Sequence, residues 1–191
     1  MLSHASQYSA PTEEQYAAIG RAVVEWANVE LLLGTMLTRL LATPEFLGRT
    51  YTGSISAVRL QEAISEAADI HAFRYGHRLI TKELVQDVRE VNGRVTTLRA
   101  LRNKLAHFCW MRSSDEELFG TSFPGGVPSD KKERRENAIL TKSELEKINT
   151  DSHALVEELM AIIKCLPEVT EESLLTASLS GQPTDPTHGI R

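Results

Sequence analysis

An all-α protein is expected here, an up-and-down bundle of about four long helices, on three grounds. Apolar residues recur at three-and-four spacing through segments of about twenty to thirty residues. Recognisable start and stop signals bound those segments. Alternating runs of strand type are few, so a sheet is expected at most as a short hairpin in one excursion. The composition suits one globular domain: 191 residues, 41% hydrophobic and 25% charged.

The first helix is expected over residues 12–43, with Pro11 and Thr12 at its start and Pro44 at its stop. Ile19, Val23, Trp26, Leu33, Leu37 and Leu40 form its apolar seam, with Trp26 in the core, and Glu30 stands where one more apolar residue belongs. A second helix follows the TYTGS turn from about Ser54 to Phe73, with Ile55, Leu60, Ile64 and Ala67 inward. Thr81 opens the third. Leu84, Val88, Val91, Val95, Leu98, Arg102, Leu105 and Cys109 keep its alternation for about thirty residues.

Residues 112–140 are rich in Gly, Pro and charge and interrupt the pattern. Within them KKERRE mixes both signs and reads as a solvated loop. Thr141-Lys-Ser-Glu144 matches a capping box, and Leu145, Ile148, Leu155, Leu159, Ile162 and Leu166 make a fourth amphipathic helix ending at Pro167. The resulting division is a flexible N-terminus over 1–11, a helical domain over 12–166 and a disordered tail over 167–191.

The N-terminal stretch has neither a basic n-region nor an apolar h-region, and the most apolar run, LLLGTMLTRLLA, is short and carries Arg39. A soluble, cytoplasmic protein without membrane contact is expected. Cys109 and Cys165 lie far apart with no CxxC or Cys/His spacing, so no disulfide framework, metal site or cofactor is expected, and a reducing compartment fits. His71 and His77 fall on different helical faces and read as surface or turn residues rather than a metal pair; the neighbouring Phe73, Arg74, Tyr75 and Arg78 suit an RNA contact or a helix corner equally. No GxSxG, Walker, dinucleotide or HExxH motif occurs.

A net charge of −5 argues against indiscriminate binding of nucleic acid, so any such contact must be local. One segment has the opposite sign. Between Arg94 and Arg112 stand Arg94, Arg99, Arg102, Lys104 and Arg112 with no acid among them, and His107 and Trp110 lie beside them. Such a segment suits phosphates and a stacked base; a solvated helix end, where the dipole favours cations, is the simpler reading. On an ideal helix His107 stands about 40° from Asn103 and about 140° from Arg102. Thr96, Ala100, Asn103, His107 and Trp110 then form a stripe of small and polar residues that would admit a second copy.

The run Arg102-Asn103-Lys104-Leu105-Ala106-His107 resembles the Arg-x4-6-His motif of HEPN domains. Its polar second residue, its place late in a long helix and the excursion and final helix after it extend the resemblance over residues 12–166. The resemblance implies a homodimer in which two motif helices meet in one basic cleft, acting as a metal-independent endoribonuclease. It makes His107 the general acid/base and Arg102 the group that stabilises charge on the phosphate, with Asn103 orienting either. Arg99, Lys104, Trp110 and Arg112 become RNA contacts. Because Arg102 and His107 diverge around one helix, either that helix distorts or both protomers contribute. A toxin or defence factor attacking tRNA or mRNA under the control of a neutralising protein is one expectation, and a catalytically silent dimer that binds RNA or a protein partner is the other. The position two after the His, a Tyr in one HEPN subgroup, is Cys109, so a modification of that Tyr does not carry over. Independently of the family, Glu30 and Arg102 each interrupt an apolar seam and could form a buried ion pair, structural or orienting.

Overall fold

The computed structural model describes residues 10–122 and 136–180. Helices α1 (Glu13–Leu40), α2 (Glu45–Thr52), α3 (Ala57–Asp69), α4 (Lys82–His107), α5 (Lys142–Cys165) and α6 (Glu171–Ser180) surround a small antiparallel sheet of β1 (Cys109–Ser114), β2 (Glu117–Thr121) and β3 (Asn137–Thr141). The chain is therefore mostly helical, with three long helices. The second expected helix is shorter in α-form and continues as a π-helical turn over Ile70–Arg74. Helix α2 occupies a stretch expected as turn, and α6 lies within the expected tail. The N-terminus over 1–9, most of the KKERRE loop and residues 181–191 lie outside the described residues.

Helix α1 packs against α2, α3, α4 and α5, while α4 lies between α3 and α5. Its buried line is Ala18, Ala22, Trp26, Val29, Leu33, Met36, Leu37 and Leu40. Val23, expected inward, is 38% exposed, because the small Ala18 and Ala22 take the inner face beside Leu105, Leu118 and Leu145. On α4, Val85 rather than Leu84 joins Val88, Val91 and Val95 in the core. The seam residues chosen for α3 and α5 pack as expected, with Leu60, Ile64, Leu155 and Leu159 in the main cluster and Leu145 and Ile148 in a second one.

Two capping boxes start the helices that carry this core. Thr12 and Gln15 satisfy each other's backbone N–H groups at α1, and Thr141 and Glu144 do so at α5. Gln15 also ties the hairpin down: its Nε2 donates to the carbonyls of Ser114 at 3.0 Å and Asp115 at 3.2 Å. Nearby, Lys142 Nζ meets Glu14 at 2.8 Å, and the hydrogen bond and charge of that ammonium hold the Glu14 carboxyl below its ordinary value. No helix among the described residues is long and apolar enough to cross a membrane.

Candidate RNA-facing end of α4

Helix α4 stays α-helical to His107 and then stops, because Phe108 turns extended at φ −85° and ψ 146°. The expected continuation to about residue 112 is replaced by β1. Cys109 and Trp110 are thus strand residues, and the apolar seam of α4 ends at Leu105. Trp110 does not extend the helical stripe. It folds back under the helix end, donating Nε1–H to the Leu105 carbonyl at 3.0 Å, and its ring stacks near Phe108 with centroids 5.9 Å apart. Its cross-strand partner is Gly120, where a Cβ would fall 2.6 Å from the indole, so only glycine leaves room for the ring. Trp110 anchors the helix end, with that side of its ring already occupied.

The other four stripe residues, Thr96, Ala100, Asn103 and His107, are all exposed on α4. Among the described residues the His107 imidazole has no hydrogen-bond partner. Arg102 is half-buried. Its guanidinium carbon lies 5.8 Å from the centroid of the Trp26 ring, and its Nη1 donates to Asn103 Oδ1 at 3.3 Å. The side chain therefore leans from the core side of α4 toward the face that carries Asn103 and His107. Helix α4 is continuous from Arg102 to His107, so no distortion of the helix brings the two together.

The expected ion pair between Glu30 and Arg102 does not form: among the described residues no carboxylate lies within 4.0 Å of Arg102. Instead Glu30 Oε1 accepts the Trp26 Nε1–H at 2.7 Å. Glu30 thus holds the indole on which the guanidinium lies. Among the described residues Arg102 Nε is buried without a hydrogen-bond partner. A cation–π contact contributes about 0.5–2 kcal/mol, and an unpaired buried donor costs about 1–3 kcal/mol. The two effects are of the same order and opposite sign.

The five cations of the basic segment divide. Arg94 pairs with Glu158, and Arg112 pairs with Asp115 at 3.4 Å. Arg99 donates to Gln61 Oε1 on α3. Among the described residues Arg102 has no acid partner, only Asn103 and the Trp26 ring of α1, and Lys104 has neither an acid nor an interhelical partner. No group of three or more His, Cys, Asp or Glu side chains suited to a metal ion occurs among the described residues.

His71, expected at the surface or in a turn, is 4% exposed and bonds through Nε2 to the Leu40 carbonyl at 2.8 Å. A carbonyl only accepts, so Nε2 carries the proton and the ring splices the π-turn to the end of α1. His77 does sit in a turn, at φ 60°. What sequence reasoning missed is the role of Gln61, Asn92 and Trp26 as the supports of Arg99 and Arg102. Polar residues at seam positions of α3 and α4 were the available signal. Compared with known proteins, the chain matches no family model, no curated protein and no solved structure.

Proposed function

We propose that the protein is a metal-independent endoribonuclease of HEPN type, acting as a homodimer through the exposed face of α4. The observation that supports this reading is the state of the Arg102–His107 motif: among the described residues the guanidinium has no acid partner and the exposed imidazole has no hydrogen-bond partner. In this reading α1, α3 with its π-turn, α4 and α5 are the four helices of the HEPN-like bundle.

The chemistry needs only proton transfer and charge stabilisation. The RNA 2′-OH attacks phosphorus, the P–O5′ bond breaks, one imidazole takes the 2′ proton and a protonated imidazole returns one to the departing 5′ oxygen. Paired copies of His107 supply both roles. The planar guanidinium of Arg102 stabilises the charge that develops on the phosphate oxygens. Asn103, bonded to Arg102, positions that guanidinium.

Labelled total RNA incubated with the protein in the presence of a chelator tests this. Cleavage to 2′,3′-cyclic phosphate and 5′-hydroxyl ends is expected, abolished in His107→Ala and in a still-folded Arg102→Ala. Intact RNA overturns the enzymatic reading. The second reading, a silent dimer that binds RNA or a protein partner, draws support from the neutralised Arg94 and Arg112, which leave a modest basic surface. Control by a neutralising protein, as for a toxin or defence factor, belongs to the first.

A further inference from the structure

Beside the motif face, α3 and α4 enclose a recess of about 340 Å³ lined by Gln61, Ser65, Asn92, Gly93, Thr96 and Arg99. A polar lattice joins the two helices there. Gln61 Nε2 donates to the Asn92 carbonyl at 2.8 Å and to Thr96 Oγ1 at 2.9 Å, and its Oε1 takes one N–H of Arg99. Asn92 Nδ2 returns two bonds, to the Gln61 carbonyl and to Ser65 Oγ, each at 3.0 Å. Gln61 is buried, so the acceptor that holds Arg99 is itself held in one orientation.

Arg99 is thereby fixed without being neutralised. An uncharged amide positions its guanidinium, and among the described residues no carboxylate lies within 4.0 Å of it. The other charges at the recess are spent, Arg89 on Asp69 and Glu62 on Arg59. Arg99 is half-buried, and its Nε and Nη2 have no partner among the described residues yet are not buried, so those N–H groups are open to solvent. Thr96 is exposed beside it; its oxygen accepts from Gln61, and its hydroxyl hydrogen has no acceptor among the described residues. One uncompensated positive charge, the remaining edge of a planar fork and a hydroxyl donor suit a singly charged phosphodiester.

Position links this site to the motif. Arg99 precedes Asn103 by four residues and His107 by eight, so turns of about 6 Å carry the three side chains along α4. Around an ideal helix Arg99 falls between Asn103 and Arg102, about 40° from the first and about 60° from the second, on the side that meets Gln61 of α3. A strand with one phosphate at Arg102 and His107 would bring the phosphate of a neighbouring nucleotide to the recess.

We propose that Arg99, with Thr96, forms a second phosphate site that holds the backbone of a single-stranded RNA next to the phosphate at the motif. The site reads charge and not sequence. This rests on the reading of α4 as an RNA-binding element, though not on cleavage.

The test uses the His107→Ala protein, in which binding is separated from turnover, and fluorescence anisotropy with short labelled oligouridylate, oligoadenylate and oligocytidylate over a range of salt concentrations. Arg99→Gln removes the charge. Gly93→Glu leaves the Gln61–Arg99 bond in place and adds a carboxylate at the recess, from a position where an added Cβ meets nothing within 4 Å, so the fold is retained. Each is expected to weaken all three strands alike, about tenfold at low salt, and to reduce the slope of log affinity against log salt by about 0.7, the share of one phosphate on a single strand. In the double variant the two losses overlap. Loss of a mere clasp between α3 and α4 leaves the slope as it was, so an unchanged slope in both variants, full additivity of their losses, or a loss confined to one strand overturns the site. Titration with inorganic phosphate alone separates the sources: saturable binding that Arg99→Gln abolishes, with RNA affinity unaltered, assigns the recess to a free phosphate and overturns the RNA site. A reduced slope in a protein that cleaves no RNA sinks the catalytic reading alone, and cleavage with an unchanged slope sinks the second phosphate site alone. A protein that binds none of the strands overturns both.

Discussion

Glu30 reaches Arg102 only through Trp26: the indole gives its N–H to the carboxylate at 2.7 Å and its π-face to the guanidinium at 5.8 Å. Trp26→Phe keeps an apolar core residue but strips Glu30 of its donor and reduces the surface under Arg102. A loss of about 1–3 kcal/mol in urea unfolding is expected, together with slower RNA cleavage under the proposed ribonuclease reading. Glu30→Gln keeps an oxygen for the indole and is expected to cost less than about 1 kcal/mol. If Glu30→Gln costs as much as Trp26→Phe, the carboxylate acts by its charge and not as the seat of the indole.

Gly120→Ala places a methyl group 2.6 Å from the Trp110 ring, which is itself bonded to the Leu105 carbonyl. Destabilisation of about 1–3 kcal/mol is expected from overpacking, with a change in the near-ultraviolet circular dichroism of tryptophan. An unchanged melting curve would show that the ring has room to move.

Helices α1 and α2 meet equally closely at Gly48, where an added Cβ would lie 2.2 Å from Thr38 Cγ2. Thr38 is fully enclosed and donates its hydroxyl to the Gly34 carbonyl at 2.9 Å. Gly48→Ala is expected to cost about 1–3 kcal/mol, and adding Thr38→Ala should recover part of it by opening the same space. Strict additivity in the double-mutant cycle would separate the two positions.

Thr141 lowers the Glu144 carboxyl below its ordinary 4.5, first through its backbone N–H and then through its hydroxyl. A carboxyl lowered in the folded state stabilises fully above its unfolded value and loses that contribution as pH falls through the folded value. The stability difference between the native chain and Glu144→Gln should therefore be constant well above 4.5 and shrink on acidification below it. Thermal melts across that range decide it; a difference that ignores pH would assign the cap entirely to neutral hydrogen bonds.

Periodicity located the cores of α1, α3, α4 and α5 because one face of each is apolar over several turns. It misjudged Val23 and Leu84 because it ranks larger side chains above small or neighbouring ones, whereas close helix approach selects Ala18, Ala22 and Val85. It ran α4 past its end because Cys109 happens to fit the helical spacing, although Trp110 and Met111 belong to a strand paired with Gly120 and Phe119. The motif residues were legible as a charge reversal on a named face. Their supports were not, since Gln61–Arg99 and Trp26–Arg102 join different helices and leave no local spacing to read.

One extended residue, Phe108, separates the imidazole-bearing turn from the first strand. A slip of β1 by one place against its neighbour would turn the indole to the opposite side of the sheet and strip the last turn of its clasp. The aim of His107 is thereby geared to strand alignment, so, if the proposed ribonuclease reading holds, a molecule that gripped the hairpin from outside would hold a lever on the chemistry without touching a single reacting atom.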